Sequence, residues 1–151
     1  FLAYGRIGIF PFRTSERRHG GKLKMVLCDT NVLIEALKKN PSAIQSLEEI
    51  GLDSIAVSVI TVMELYYGAL NKAELVKIKH HLSSVQIVQI DEEISVTGAT
   101  LIERYAKSHG LQIPDALIAA AALCRDLQLF TENTRDFIFI ENIRLWSPAK
   151  R

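Results

Sequence analysis

Residues Lys24–Leu37 read KMVLCDTNVLIEAL, a short apolar run that ends in an acid and continues into apolar residues at helical spacing. A run of four or five apolar residues stopped by a polar joint predicts a strand buried on both faces, here Lys24–Cys28. The stretch after it predicts a helix over Asn31–Lys39, stopped by Asn40-Pro41. Asp29 stands at the joint. Further along the chain, short apolar runs keep alternating with amphipathic stretches, the pattern of βα units around a mainly parallel sheet.

Reading outward, a second helix is expected over Ser42–Ile50, closed by Gly51, and a strand over Ser54–Ile60 (SIAVSVI). Helices are expected over Val62–Leu70 and Ala73–Leu82, with a strand between Val85 and Ile90. Asp91 is placed to cap a long helix over Glu92–Ser108, ended by Gly110. Pro114 opens an Ala- and Leu-rich helix over Asp115–Arg125. Leu127–Thr131 and Ile143–Trp146 read as the closing strands, and the sequence has no internal repeat.

The chain of 151 residues is one domain's length, and 48% hydrophobic with 23% charged residues is an ordinary globular balance. No run of about 18 apolar residues is present to span a bilayer. Cys28 and Cys124, the two cysteines, each sit in an apolar run, which suits buried thiols in a reducing, cytoplasmic setting. The net charge of +1 hides an asymmetry. Residues 1–24 carry six basic side chains against one acid, or +5, and residues 25–151 carry twelve against sixteen, or −4. We expect 1–24 to be a basic N-terminal extension, added or read in from an upstream start, and 25–151 to be the natural domain. An acidic domain argues against a broad basic nucleic-acid face but not against an acidic site bridged to phosphate by cations.

Four acids recur at one kind of place, just past a strand or in the first turns of a helix. Asp29 follows MVLC, Glu64 follows SIAVSVI by a turn, Asp115 follows Pro114, and Asp136 follows LQLF-TENTR. In open α/β sheets such positions gather at the carboxyl ends of the strands, where ligands bind. Carboxylates brought together raise one another's pKa unless a cation neutralises them, and oxygen-only ligands suit Mg²⁺ or Mn²⁺. Each acid has a structural alternative. Asp29 suits a helix N-cap, and Glu64 stands three residues after Thr61, the spacing of a capping box. Asp115 suits a helix dipole, and Asp136 suits a surface loop.

The stretches CDTNVLIEAL (Cys28–Leu37), SVITVMELYYGA (Ser58–Ala69), IPDALIAAAAL (Ile113–Leu123) and LFTENTRDF (Leu129–Phe137) resemble, in order and spacing, the motifs of PIN-domain ribonucleases, particularly the VapC-type toxins of toxin–antitoxin pairs. The resemblance runs from Met25 to Trp146. It implies a three-layer α/β/α sandwich with a mainly parallel sheet and metal-dependent hydrolysis of RNA, with Asp29, Glu64 and Asp115 as metal-ligating and catalytic acids. The fourth position falls on Asn133 or Asp136. Asp136 is taken as the acid and Asn133, with Asn31 and Thr131, as supporting polar groups. The resemblance further implies Mg²⁺ (or Mn²⁺) as cofactor, an RNA substrate, a VapB-like antitoxin partner, a homodimer and no membrane. The apolar positions of Leu33–Leu37 and Ile60–Leu70 would supply the antitoxin groove, which the segment Ile7–Arg13 would occupy in cis on a separate reading.

Other chemistry is less well supplied. A phosphatase nucleophile of the D-x-D kind is broken by Asn31, and a phosphate-accepting signalling domain lacks its lysine after a late strand. An RNA- or partner-binding module of the same fold without turnover is the serious alternative. No Ser/His/Asp set is apparent. His80, His81 and His109 are expected to be solvated, Cys28 to be core, and Tyr66, Tyr67 and Tyr105 to be helix-packing residues. Arg104, Lys107, Arg125 and Arg135 are candidates for phosphate contact or plain surface charge.

Overall fold

A computed structural model describes residues 24–149, so the basic extension and the cis hypothesis for Ile7–Arg13 lie outside the described residues. In chain order the elements are β1 (Val26–Cys28), α1 (Thr30–Leu37), α2 (Pro41–Ile50), β2 (Ile55–Ser58), α3 (Val59–Gly68), α4 (Lys72–Leu82), β3 (Gln86–Val88), α5 (Glu92–His109), α6 (Ile113–Cys124) and β4 (Gln128–Phe130). The four strands form one sheet in the order β3-β2-β1-β4, every pairing parallel. The chain therefore builds outward from β1 in one direction and returns to lay β4 on its other side, which puts the reversal of strand order between β1 and β4.

The strands are shorter than their apolar runs because helices start inside those runs. SIAVSVI pairs only through Ser58, whose hydroxyl accepts from the Ile60 N–H at 3.1 Å and starts α3 there. Asn40 does double duty. Its side chain accepts from Ser42 N, and Pro41 supplies a first helical residue with a preset φ, so one dipeptide ends α1 and begins α2. Asp91 caps α5 and Gly110, at φ +70°, ends it as expected. The expected strand Ile143–Trp146 is reduced to a single parallel bridge from Leu145 to Leu129. Asn142 at φ +67° turns the chain into this stretch, Arg144 is drawn to Asp126, and Pro148 has no N–H to extend a ladder.

Side chains on the strands alternate between two cores. Val26, Cys28, Ile55, Val57 and Phe130 face one side with α1, α2, α3 and α4. Leu27, Ala56, Val88 and Leu129 face the other with α5, α6, Phe137 and Ile140. This is the period-2 consequence of a sheet covered on both faces, giving an α/β/α sandwich. On the second side α5 lies so close to α6 that a Cβ on Gly98 would stand 2.9 Å from Leu117 Cδ2. Trp146 closes the other core, its ring 4.7 Å from that of Phe130 and nearly perpendicular to it.

Two expectations about single side chains fail. His81 is buried among the end of α4 and its surroundings, and desolvation, with His80 next, holds its pKa below the ordinary value. The α4 helix turns that face inward once Ile78 and Leu82 are committed to the core. Tyr67 is 95% exposed and packs against nothing in the core, whereas Tyr66 and Tyr105 pack as expected. Leu27, fully buried at the centre of β1, is a direct check on the two-core arrangement. Leu27→Ala is expected to lower unfolding free energy by about 2–5 kcal/mol, read from urea unfolding followed by circular dichroism.

Candidate active site at the carboxyl edge of the sheet

The site begins where β1 runs out. The Asp29 backbone N–H donates to the Phe130 carbonyl at 2.8 Å, a last rung between β1 and β4, and the chain then turns into α1. Asp29 Oδ1 accepts from Thr30 N at 2.8 Å, so the residue is the helix cap its position suggested. Its other oxygen accepts from the Thr131 hydroxyl at 2.8 Å, across the strand-order reversal. Capping and site-building are therefore compatible: one oxygen serves each.

Thr131 is the hub of the neighbouring loop. Its hydroxyl oxygen also receives the Asn133 N–H at 3.1 Å and Asn31 Nδ2 at 3.4 Å, while Asn31 Oδ1 accepts from Glu132 N at 3.3 Å. Asn31 thus staples the start of α1 to the loop after β4. Asn133 contributes through its backbone, and Asp136 lies in a 3-10 turn, Thr134–Asp136, with its side chain exposed.

Glu64 differs from the sequence expectation in its anchoring. Thirty-four residues separate it from Thr30, whose hydroxyl donates to Glu64 Oε1 at 3.1 Å and lies 3.0 Å from the Thr61 hydroxyl. Ser58, not Thr61, caps α3, so Glu64 falls in the second turn, beyond reach of a capping-box geometry. Thr30 was not among the sequence candidates. A contact between helix starts on two different βα units has no local signature.

The four carboxylates act on one another. Burial, first, and then the charges of Asp29, Asp136 and Glu64 raise Asp115 to about 6. Asp29 is raised chiefly by burial, with Asp136 adding to it, and the Thr131 and Thr30 hydrogen bonds oppose the rise. Asp115 occupies the first turn of α6, after Pro114, and feels all three other acids. The charge of Asp136 acts on both Asp29 and Asp115. Burial and Asp29 push the Cys28 thiol far up, so it is a core group and no nucleophile.

Among the described residues no three His, Cys, Asp or Glu side chains stand close enough to form a ready-made metal cage. A hard divalent ion needs no such cage. Mg²⁺ is commonly held by one or two carboxylates while keeping several waters, and an all-oxygen set of mutually repelling acids fits that chemistry. Of the candidate cations, Arg104 pairs with Glu141, and Arg125 with Asp91 and Glu93, all on the surface.

The raised Asp115 has a stability consequence. The folded state holds its proton more tightly than the unfolded chain, so stability falls as pH rises from about 4 through 6 and the penalty is complete above that. With chelator present, Asp115→Asn is expected to raise the melting temperature by about 2–4 °C at pH 7.5. The gain should vanish near pH 4, read by calorimetry at both pH values.

Residues 26–141 match the PIN domain family. Ribonuclease VapC19 of Mycobacterium tuberculosis is 34% identical over 116 residues, covering 75% of this chain and 92% of that protein. The tRNA(fMet)-specific endonuclease VapC of Salmonella typhimurium is 30% identical over 128 residues, covering 82% and 96%. A toxin–antitoxin complex from Klebsiella pneumoniae superimposes with a TM-score of 0.69 at 33% identity, covering 78% of this chain and 94% of that one. With the parallel sheet, the α/β/α layers and the acids at its carboxyl edge, these matches lead to one assignment: the chain belongs to the PIN-domain family, among its VapC-type members.

Proposed function

We propose that this chain is a metal-dependent endoribonuclease and the toxin of a VapBC-type pair. The observation that carries the reading is the meeting of four acids: Asp29, tied to Thr131 across the reversal of strand order, Glu64, tied to Thr30, and Asp136 all lie close enough to Asp115 for their charges to act on it. A cation would relieve the repulsion among these carboxylates. Its relatives are named ribonucleases and endonucleases.

Asp29, Asp115 and Asp136 would hold Mg²⁺ or Mn²⁺, with Glu64 near by. When bound, the ion neutralises phosphate charge and acidifies water. The chain's own residues then divide the work. Thr131 and the Thr30 N–H fix both oxygens of Asp29, so the carboxylate keeps one orientation as charge moves. Thr30 holds Glu64 Oε1, leaving Oε2 to accept a proton from the attacking water. Asp115, raised to about 6 by burial and its neighbours' charges, must lose its proton to hold the ion, so protons compete with the cation and its affinity is expected to fall below about pH 6. No covalent intermediate on the protein is required.

The partner proposed is a VapB-like antitoxin, consistent with the toxin–antitoxin complex that this chain resembles. The α3 surface supports it: Met63 and Tyr67, one helical turn apart, are 56% and 95% exposed, and Leu70, just past the end of the helix, is 72% exposed. Leu33 and Leu37, in contrast, are buried in the core and are not available to line a groove. A homodimer is proposed on the family resemblance alone.

The purified chain is expected to cleave members of a panel of structured RNAs with Mg²⁺ or Mn²⁺ and not with EDTA. Asp29→Asn and Asp115→Asn should each lower the rate by about 100-fold or more. Metal-independent cleavage, or equal cleavage by parent and variants, would overturn the assignment of the site. RNA binding without cleavage in the parent would favour the binding-only module.

A further inference from the structure

Between β4 and the bridge at Leu145 the chain makes only a three-residue 3-10 turn and irregular turns, so no ladder fixes Asp136. Its side chain is exposed. Phe137 and Ile140, buried to 1% and 2%, set the depth of the following segment, but apolar burial has no direction and does not by itself set the segment's register along the core. Within the turn the Asp136 N–H donates to the Asn133 carbonyl at 3.0 Å and the Phe137 and Ile138 N–H groups donate to the Thr134 carbonyl; the directional side-chain contacts that tie residues 137–141 to another element come from the last turns of α5. The Tyr105 hydroxyl accepts from the Glu141 N–H at 3.1 Å, and Arg104 Nη1 meets Glu141 Oε2 at 2.9 Å. The His109 ring stacks on Phe139, centroids 4.3 Å apart and planes 17° from parallel, with Tyr105 5.2 Å from the same ring.

We propose that Arg104 and Tyr105, with the His109–Phe139 stack, are positioning residues for the fourth carboxylate: they clamp residues 137–141 to α5 and so hold Asp136 in register with Asp29 and Asp115. The inference rests on the reading of Asp136 as a member of the cation site. An ion pair as exposed as Arg104–Glu141 contributes little to stability, so its worth lies in where it holds the chain. Neither Arg104 nor Tyr105 touches the acids. They act through the segment that begins one residue after Asp136.

The test is Mn²⁺ binding to the whole chain by calorimetry, without RNA, for the parent, Asp136→Asn, the pair Arg104→Gln/Tyr105→Phe, and all three changes together. Asp136→Asn and the α5 pair are each expected to weaken binding about 10-fold, as loss of supporting groups around metal ligands commonly does. The triple variant should bind no more weakly than Asp136→Asn alone, because the clamp has nothing left to position. Melting in chelator should leave the pair close to the parent. If the pair lowers it, Tyr105→Phe alone, which keeps the ring, carries the same comparison. An α5 pair that binds like the parent while Asp136→Asn is weakened overturns the clamp and leaves the site reading intact. Losses that add fully in the triple variant overturn it too. Parent-like binding by Asp136→Asn removes Asp136 from the site, and the clamp's role with it.

Discussion

The hydrogen bond from the Asp29 N–H to the Phe130 carbonyl is the last rung between the two central strands, and the site hangs from it. Below that rung, Val26, Leu27 and Cys28 are buried on both faces and cannot shift without exposing a core. A one-residue slip would exchange the two faces of β1, since side chains alternate. The register of β1 against β4 therefore sets where Asp29 meets Thr131. Through Thr131 it also sets the loop that carries Asn133 and leads to Asp136.

Bringing four carboxylates to one edge costs stability, and the fold offsets that cost elsewhere. The two cores bury Leu27, Leu33, Leu47, Ile55, Leu65, Ile94, Ile118, Leu129 and Phe137 almost completely, and five of the six helices among the described residues begin on a side-chain cap. At the site itself the polar groups are directed. Asp29 has a donor for each oxygen, and Glu64 is held by a hydroxyl from another βα unit. Like charges kept close by a rigid frame favour a bound cation over the empty arrangement.

Much of this was legible beforehand. Caps and breakers such as Asn40-Pro41, Asp91 and Gly110 act within one turn, so their elements appear close to where local chemistry puts them. The errors fall where competing local preferences meet or where distance decides. Ser58 outcompetes Thr61 as the cap of α3, because the strand ends as soon as the N–H groups of the helix need an acceptor. Ile143–Trp146 has strand-like composition, yet the turn at Asn142 and the pull of Arg144 toward Asp126 allow only one bridge. His81 looked solvated in a polar helix and is buried because the helix phase is fixed by Ile78 and Leu82.

The sequence by itself determined the βα alternation, the helix ends and the four acids at strand and helix junctions, because each is written in residues a few positions apart. Only the tertiary structure decided that β4 returns to lie beside β1 and that Thr30 reaches Glu64. It also decided that Asp115 lies among the charges of Asp29, Asp136 and Glu64, and that the end of α5 meets the segment after Asp136. The reason is physical: these contacts join residues tens of positions apart. Their geometry is settled by how two hydrophobic cores pack on one sheet, a property of the whole chain and of no local stretch.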